Sequence, residues 1–338
     1  MRIRDLMILE GAVFPMELRQ GATSIVLGFG LLSGCTVGAS PGRRITHVQW
    51  DTVWFSSRTV SDSILPSPSM LTFNHGSLFV YDRATHRLAA FEALTGAVLW
   101  VVGGSGQGPE EFAGVSALVP DRDGGVAVVD VRSRRVLRVN SQGRFTGMLP
   151  IASMGMQPNQ LCVFGEDRFL IADAFDPDPF VMDSTGALIE RLDPIWPDFV
   201  QEDMQTRQVS LHNDEAGKRC LVALFTGRGF ALLFPNREPI VVDYVEAFDP
   251  YGVNTRKNER EVEFFAILDA EFVSDTLLVL FAGRTRDEYQ LLDRYDGLSG
   301  KYLDTYLLPF PTVEIAAGGG IVFSVDSDTT IVALHPRR

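Results

Sequence analysis

The sequence predicts an all-β fold, a six-bladed β-propeller of four-stranded antiparallel blades. Three observations carry that expectation: short apolar runs of four to seven residues that recur along the chain, Gly, Asp and Asn turns between them, and no long stretch with 3.6-residue spacing. The plainest runs are Leu78-Phe79-Val80-Tyr81-Asp82, Val126-Ala127-Val128-Val129-Asp130 and Phe169-Leu170-Ile171-Ala172-Asp173. Weaker copies run from Cys220 to Phe225, Leu277 to Phe281 and Ile321 to Asp326. Six units of roughly 50 residues match four-stranded propeller blades. A single unit would expose a sheet that is apolar on both faces, and a radial array buries each sheet between its neighbours.

Taken in order, the chain begins with residues unlike the rest. Residues 21–34 form an uncharged, largely apolar stretch. At the helical rise these residues cover about 21 Å, short of the roughly 30 Å of a bilayer core, so they read as the h-region of a signal peptide. Met16 is a better start for such a peptide than Met1, which makes residues 1–15 a misassigned extension of a signal peptide spanning 1–34. Leu32-Ser33-Gly34-Cys35 resembles a bacterial lipobox, which implies that Cys35 is acylated and becomes the new N-terminus. Thr36 stands where Asp would imply inner-membrane retention, so the resemblance implies the outer membrane, facing the periplasm or the exterior. Residues 35–45 then read as a lipidated tether, and 46–338 as the propeller.

The second unit shows all its strands: Ser116 to Val119, Val126 to Asp130, Arg135 to Asn140 and Phe145 to Leu149. Asp123-Gly124-Gly125 and Ser141-Gln142-Gly143 supply turns, with Gly where positive φ is needed. The sixth unit ends after three strands, at Leu334. A propeller must close its ring, and Val48 to Phe55 is the run available as the missing outer strand. The N-terminal strand of the mature chain is therefore expected to lock the first and last blades together. Two insertions, residues 193–208 and 246–262, break the rhythm, and long connections of this kind either carry binding specificity or pack on the rim.

Gly103-Gly104-Ser105-Gly106-Gln107-Gly108-Pro109-Glu110-Glu111-Phe112 resembles the Gly-rich element between blades of NHL-repeat propellers. Asp82 followed by Arg87-Leu88, and Asp130 followed by Arg135-Val136, resemble another part of that repeat. The likeness covers residues 72–150 and fades afterwards, and Glu110 replaces the family's last Gly. The family contains scaffolds, binders and enzymes, so the resemblance implies a fold and no ligand.

The net charge of -13 argues against nucleic acid, because a phosphate-binding surface needs clustered Lys and Arg. It equally disfavours loose adsorption to anionic lipid, leaving the anchor as the membrane contact. Cys35, Cys162 and Cys220 are too few for a disulfide framework and form no zinc motif. An oxidising compartment would permit a Cys162–Cys220 bridge, yet both lie in apolar strand-like runs, where a buried free thiol is the commoner outcome.

Arg83, Arg132, Arg228 and Arg284 each follow the second strand of a unit, in loops that a propeller gathers at one mouth of its channel. Four guanidinium groups there could bind a carboxylate, a sulfate or an acidic glycan. Asp82/Arg87 and Asp130/Arg135 read as structural ion pairs across hairpins. The Gly103–Gly108 loop lacks the Gly-Lys-Ser/Thr of a phosphate cradle. Asp173, Asp176, Asp178 and Asp183 are interrupted by Pro177 and Pro179 and follow no calcium pattern. His47, His75, His86, His212 and His335 lie near no nucleophile motif and at no ligand spacing, and His86 reads as solvated. Six-bladed lactonases use a Glu, Asn and Asp set around a channel metal. Asn74, Asn140, Asn159, Asn213 and Glu166 do not fall at blade positions that would reproduce it. The expectation is a lipid-anchored cell-envelope propeller that binds an envelope protein, an acidic small molecule or a glycan, with no cofactor, metal or catalytic set identified. The alternatives are a metal-dependent, lactonase-like propeller hydrolase or lyase working in the channel, and a rigid scaffold.

Overall fold

The computed structural model describes residues 8–9, 12–13, 42–56, 65–151, 158–166, 168–173, 176–193, 195, 209–214, 217–224, 229–246, 251–254, 259–262, 266–282, 287, 289–326 and 329–337. The chain divides into two units, Met1–Gly42 and Arg43–Arg338. In the first, β1 (Ile8–Leu9) pairs antiparallel with β2 (Ala12–Val13). The expected h-region and Cys35 lie outside the described residues.

The second unit is the propeller. It opens with β3 (Ile45–Thr46) and β4 (Gln49–Phe55). Blade one is β5 (Pro68–Asn74), β6 (Ser77–Asp82), β7 (Arg87–Glu92) and β8 (Val98–Gly103); blade two is β9 (Val115–Pro120), β10 (Val126–Asp130), β11 (Arg135–Val139) and β12 (Phe145–Pro150). Blade three follows as β13 (Pro158–Val163), β14 (Arg168–Asp173), β15 (Asp176–Asp183) and β16 (Leu188–Arg191). Blade four is β17 (Val209–Asn213), β18 (Cys220–Leu224), β19 (Gly229–Phe234) and β20 (Arg237–Asp243). The insertion after it holds a separate hairpin, β21 (Tyr251–Asn254) with β22 (Glu259–Val262). Blade five is β23 (Ile267–Val273), β24 (Thr276–Phe281), β25 (Leu291–Asp296) and β26 (Tyr302–Leu307). Blade six is β27 (Thr312–Gly318), β28 (Ile321–Asp326) and β29 (Ile331–Arg337), with β4 as its outer strand. All six apolar runs of the sequence are second strands of their blades.

The first strands line the axis: β5, β9, β13, β17, β23 and β27 each lie beside the next, and β27 returns to β5. Radial sheets explain why the runs are continuously apolar rather than alternating, since both faces of each blade are buried. Along β6, Leu78 and Val80 pack towards blade six while Phe79 and Tyr81 pack towards blade two. Along β24, Leu277, Val279 and Phe281 face blade four, while Leu278 and Leu280 face blade six. The core is thus a ring of apolar seams, one between each pair of neighbouring blades. Between blades one and two the chain turns at Gly103, with φ 87°, because a Cβ there would lie 2.3 Å from the ring of buried Phe112.

The N-terminal segment closes the ring as expected, and does more. β4 pairs antiparallel with β29, while β3 pairs parallel with the outer edge of β26 in blade five. Trp50 Nε1 donates to Leu307 O at 2.7 Å and Trp54 Nε1 to Ala93 O at 2.8 Å, so the segment binds blades five, six and one together. Arg43, read from sequence as tether, is buried on blade five.

The expectation of free thiols is corrected. Cys162 of β13 and Cys220 of β18 are joined by a disulfide, with Cα atoms 6.2 Å apart. Burial in apolar strands, taken as the mark of an inert thiol, here reflects two facing blades whose seam brings the sulfurs together. Both residues are fully buried.

Candidate functional site

The loops after the second strands lie at the end of the axis where the first strands begin, because the two strands pair antiparallel. In blade one, Asp82 caps this end: its carboxylate accepts from Ser67 N, from Thr85 N at 2.8 Å and from Thr85 Oγ1 at 2.8 Å. In blade two Asp130 accepts from Ala113 N, Gly114 N and Ser133 N, and Arg135 Nε lies 3.5 Å away. Arg135 also donates to Gly108 O and Glu111 O at 2.8 Å each, fastening the Gly-rich connector. In blades one and two this recurring Asp therefore ties the blade's incoming chain to its hairpin. Arg87 stands opposite Asp82 in register but is exposed, so the structure forms the Asp130/Arg135 ion pair and leaves Asp82 with backbone and hydroxyl donors.

Of the four expected anion-binding arginines, Arg83 and Arg132 occupy equivalent loops of neighbouring blades at this mouth. Arg83 is half-buried and offsets charge on Glu314 of blade six. Arg132 is exposed, with its stem laid over Gly114, where a Cβ would lie 2.8 Å from Arg132 Cγ. Arg228 and Arg284 lie outside the described residues. His86 is not simply solvated, because its Nδ1 lies 2.8 Å from Tyr81 Oη. Asp183 accepts from Thr185 and Ala187 of its own turn, and Asp173 is buried. The side chains of Asp176 and Asp178 are not among those described. Among the described residues, no group of three His, Cys, Asp or Glu side chains comes together to hold a metal ion.

Within the channel lies a small cavity of about 30 Å³, lined by β5, β9, β17 and β23, with Thr72, His212, Asn213, Asp269 and Glu271 as its polar wall. That is room for roughly two waters. Burial lowers the His212 imidazole to about 4, so it is neutral at physiological pH. Its Nδ1 stands 3.6 Å from Asp269 Oδ1. Asp269 accepts from Ala270 N and from Ile315 N of the next blade, both at 2.8 Å. The carboxyl of Glu314, on the first strand of the next blade, is its neighbour and acts on it electrostatically. Burial raises Asp269 to about 6, and burial together with neighbouring Asp269 raises Glu314 well above the usual carboxylate range. Glu314 is half-buried, and protein atoms crowd its carboxyl.

Sequence reading gave His212 no role and did not single out Asp269 or Glu314. The available signal was an acid inside each of two first-strand runs, Leu268-Asp269-Ala270 and Val313-Glu314-Ile315, where the matching strand of blade one carries Met70.

The geometry defines a closed six-bladed propeller with a narrow polar channel and an Arg-bearing mouth. Residues 58–170 match the family DUF5128, described as a 6-bladed beta-propeller. No curated protein matches the chain in sequence. Among solved structures, the chain resembles a Bacteroides fragilis protein inferred to be exported (10% identity, 86% of this chain and 94% of that one, TM-score 0.56). It also resembles the WD40 repeats of RRP9 (11%, 86% and 100%, 0.53) and a streptogramin B lyase (9%, 86% and 98%, 0.51). At these identities the likeness is one of fold.

Proposed function

We propose that this chain is an exported, lipid-anchored propeller of the bacterial cell envelope, probing its surroundings with the Arg-bearing mouth as a binding module. The observation that supports this reading best is the Cys162–Cys220 bridge. Structural disulfides persist in oxidising compartments and are rare in the cytosol, which agrees with the lipobox-like Leu32-Ser33-Gly34-Cys35. Outer-membrane placement follows from Thr36 on the same reasoning. Replacing Cys35 by Ser is expected to move the chain from the membrane to the soluble fraction and to abolish incorporation of labelled palmitate. Unchanged fractionation would refute the anchor.

The ligand class favoured by the mouth is a carboxylate, a sulfate or an acidic glycan, held by Arg83 and Arg132 with Arg228 and Arg284 completing the set. In thermal-shift titrations with sulfate and with polygalacturonate, the wild-type chain is expected to be stabilised and the fourfold Arg→Ala variant to lose that response. Equal shifts in both proteins would end the anion reading and leave an envelope protein as the partner to seek. A second reading, a hydrolase or lyase working in the channel, draws support from the Asp269/Glu314 pair beside a neutral His212, because carboxyls with displaced protonation serve acid–base chemistry. Bound calcium, with lactone or ester turnover lost on chelation, would favour it.

A further inference from the structure

Asp269 and Glu314 hold the same register position in consecutive blades. Each follows the irregularity near the start of its first strand, Asp269 opposite Leu280 and Glu314 opposite Val325. Blades one, two and three place Met70, Ala117 and Gln160 there. Ring symmetry thus brings two acids side by side at the seam between blades five and six, where no other pair of neighbouring blades among those three would do so. First strands are sheet edges, and their inward amides need acceptors. Asp269 supplies them, taking Ala270 N with Oδ1 and, across the seam, Ile315 N with Oδ2. Both Asp269 oxygens therefore act as acceptors. A proton shared between the two neighbouring carboxyls therefore belongs on Glu314.

We propose that Glu314 donates one proton to Asp269 in a hydrogen bond that fastens blade five to blade six along the channel, and that loss of this proton to solvent base loosens the seam. The groups facing the pair make a second negative charge costly. His212 on β17 is neutral and stands 3.6 Å from Asp269 Oδ1, and Glu271 lies two residues along β23 on the same cavity. Thr72 and Asn213 are uncharged, and Arg83 above the pair opposes the effect only in part. Two carboxyls in contact cannot both ionise without strong repulsion.

The sign follows from linkage. A carboxyl raised by folding contributes stability at low pH that is lost as pH rises through its folded value. While the fold holds a proton that the unfolded chain has released, the folding constant falls up to about tenfold per pH unit. His212 works in the opposite direction between about 4 and the ordinary imidazole value of about 6.5, so the clean window lies above pH 7.

The test is urea unfolding of the purified full chain at pH 7, 8 and 9, beside Glu314→Gln, whose amide N–H replaces the proton and cannot ionise. The wild-type folding constant is expected to fall several-fold across this range and the variant's to stay nearly level. Parallel profiles overturn the proposal. Should the variant not fold, amide exchange in the wild type decides. Ile315 N–H protection, corrected for base catalysis, is expected to drop between pH 7 and 9 relative to Val128 in blade two, and constant relative protection overturns the proposal.

Discussion

Replacing both Cys162 and Cys220 by Ala is expected to lower the unfolding free energy by about 4 kcal/mol. The bridge joins positions 58 residues apart in sequence, and the loop-closure entropy it removes from the unfolded chain amounts to roughly 4 kcal/mol at that separation. It also spans the seam between β13 and β18, so it holds blades three and four together beside the backbone hydrogen bond from Gly165 N to Gly217 O. Both sulfurs are buried, so a reductant reaches them only after that seam opens. Native protein should therefore show no reactive thiol at these two positions and should lose the bridge at a rate that tracks local opening. Urea unfolding of the double variant checks the magnitude, and a loss below about 1 kcal/mol would show that the link contributes little.

The second large effect is expected at Arg43. Its guanidinium donates to both oxygens of Asp293, at 3.0 and 2.7 Å, pairs with Glu246, and lies 4.7 Å from the Phe281 ring centroid. Asp293 is fully buried, with Thr305 Oγ1 as its further donor at 2.5 Å. Arg43→Ala strands that carboxylate in the interior and should cost about 3–5 kcal/mol, the range found when one partner of a buried pair is removed. Arg43→Lys should recover only part, because an ammonium cannot match the two-pronged geometry. Adding Asp293→Asn to Arg43→Ala should restore stability relative to the single variant. If the double variant is no better, the buried charge is not the cause.

How much of this was legible in the sequence depended on which face of each strand meets what. The second strands are buried on both faces, so Leu78 to Asp82 and Val126 to Asp130 stood out as unbroken apolar runs, and six of them fixed the blade count. β4 was legible as the spare run from Val48 to Phe55 and through the shortage of a strand in the last unit. The short β3 was not, because two residues beside Arg43 and Arg44 look like tether until blade five is there to receive them. First strands mix exposure with burial, so acids such as Asp269 and Glu314 do not stand out in the sequence; only the ring places them side by side. The disulfide was hidden for a similar reason, since an apolar neighbourhood is common to a buried thiol and a buried bridge. Arg83 lies in the loop after β6, and Glu314, whose charge it offsets, lies about 230 residues away in sequence.

Closing the ring with the first strand imposes an order in time. Phe55 leaves the ribosome about 280 residues before Arg337, an interval of very roughly 15 to 60 seconds at common synthesis rates. Until then β4 lacks its ladder partner β29, and blade six cannot be completed. The propeller is thus slow to commit and reaches its final state in one late event. Deleting either β4 or β29 should therefore unclasp the whole wheel.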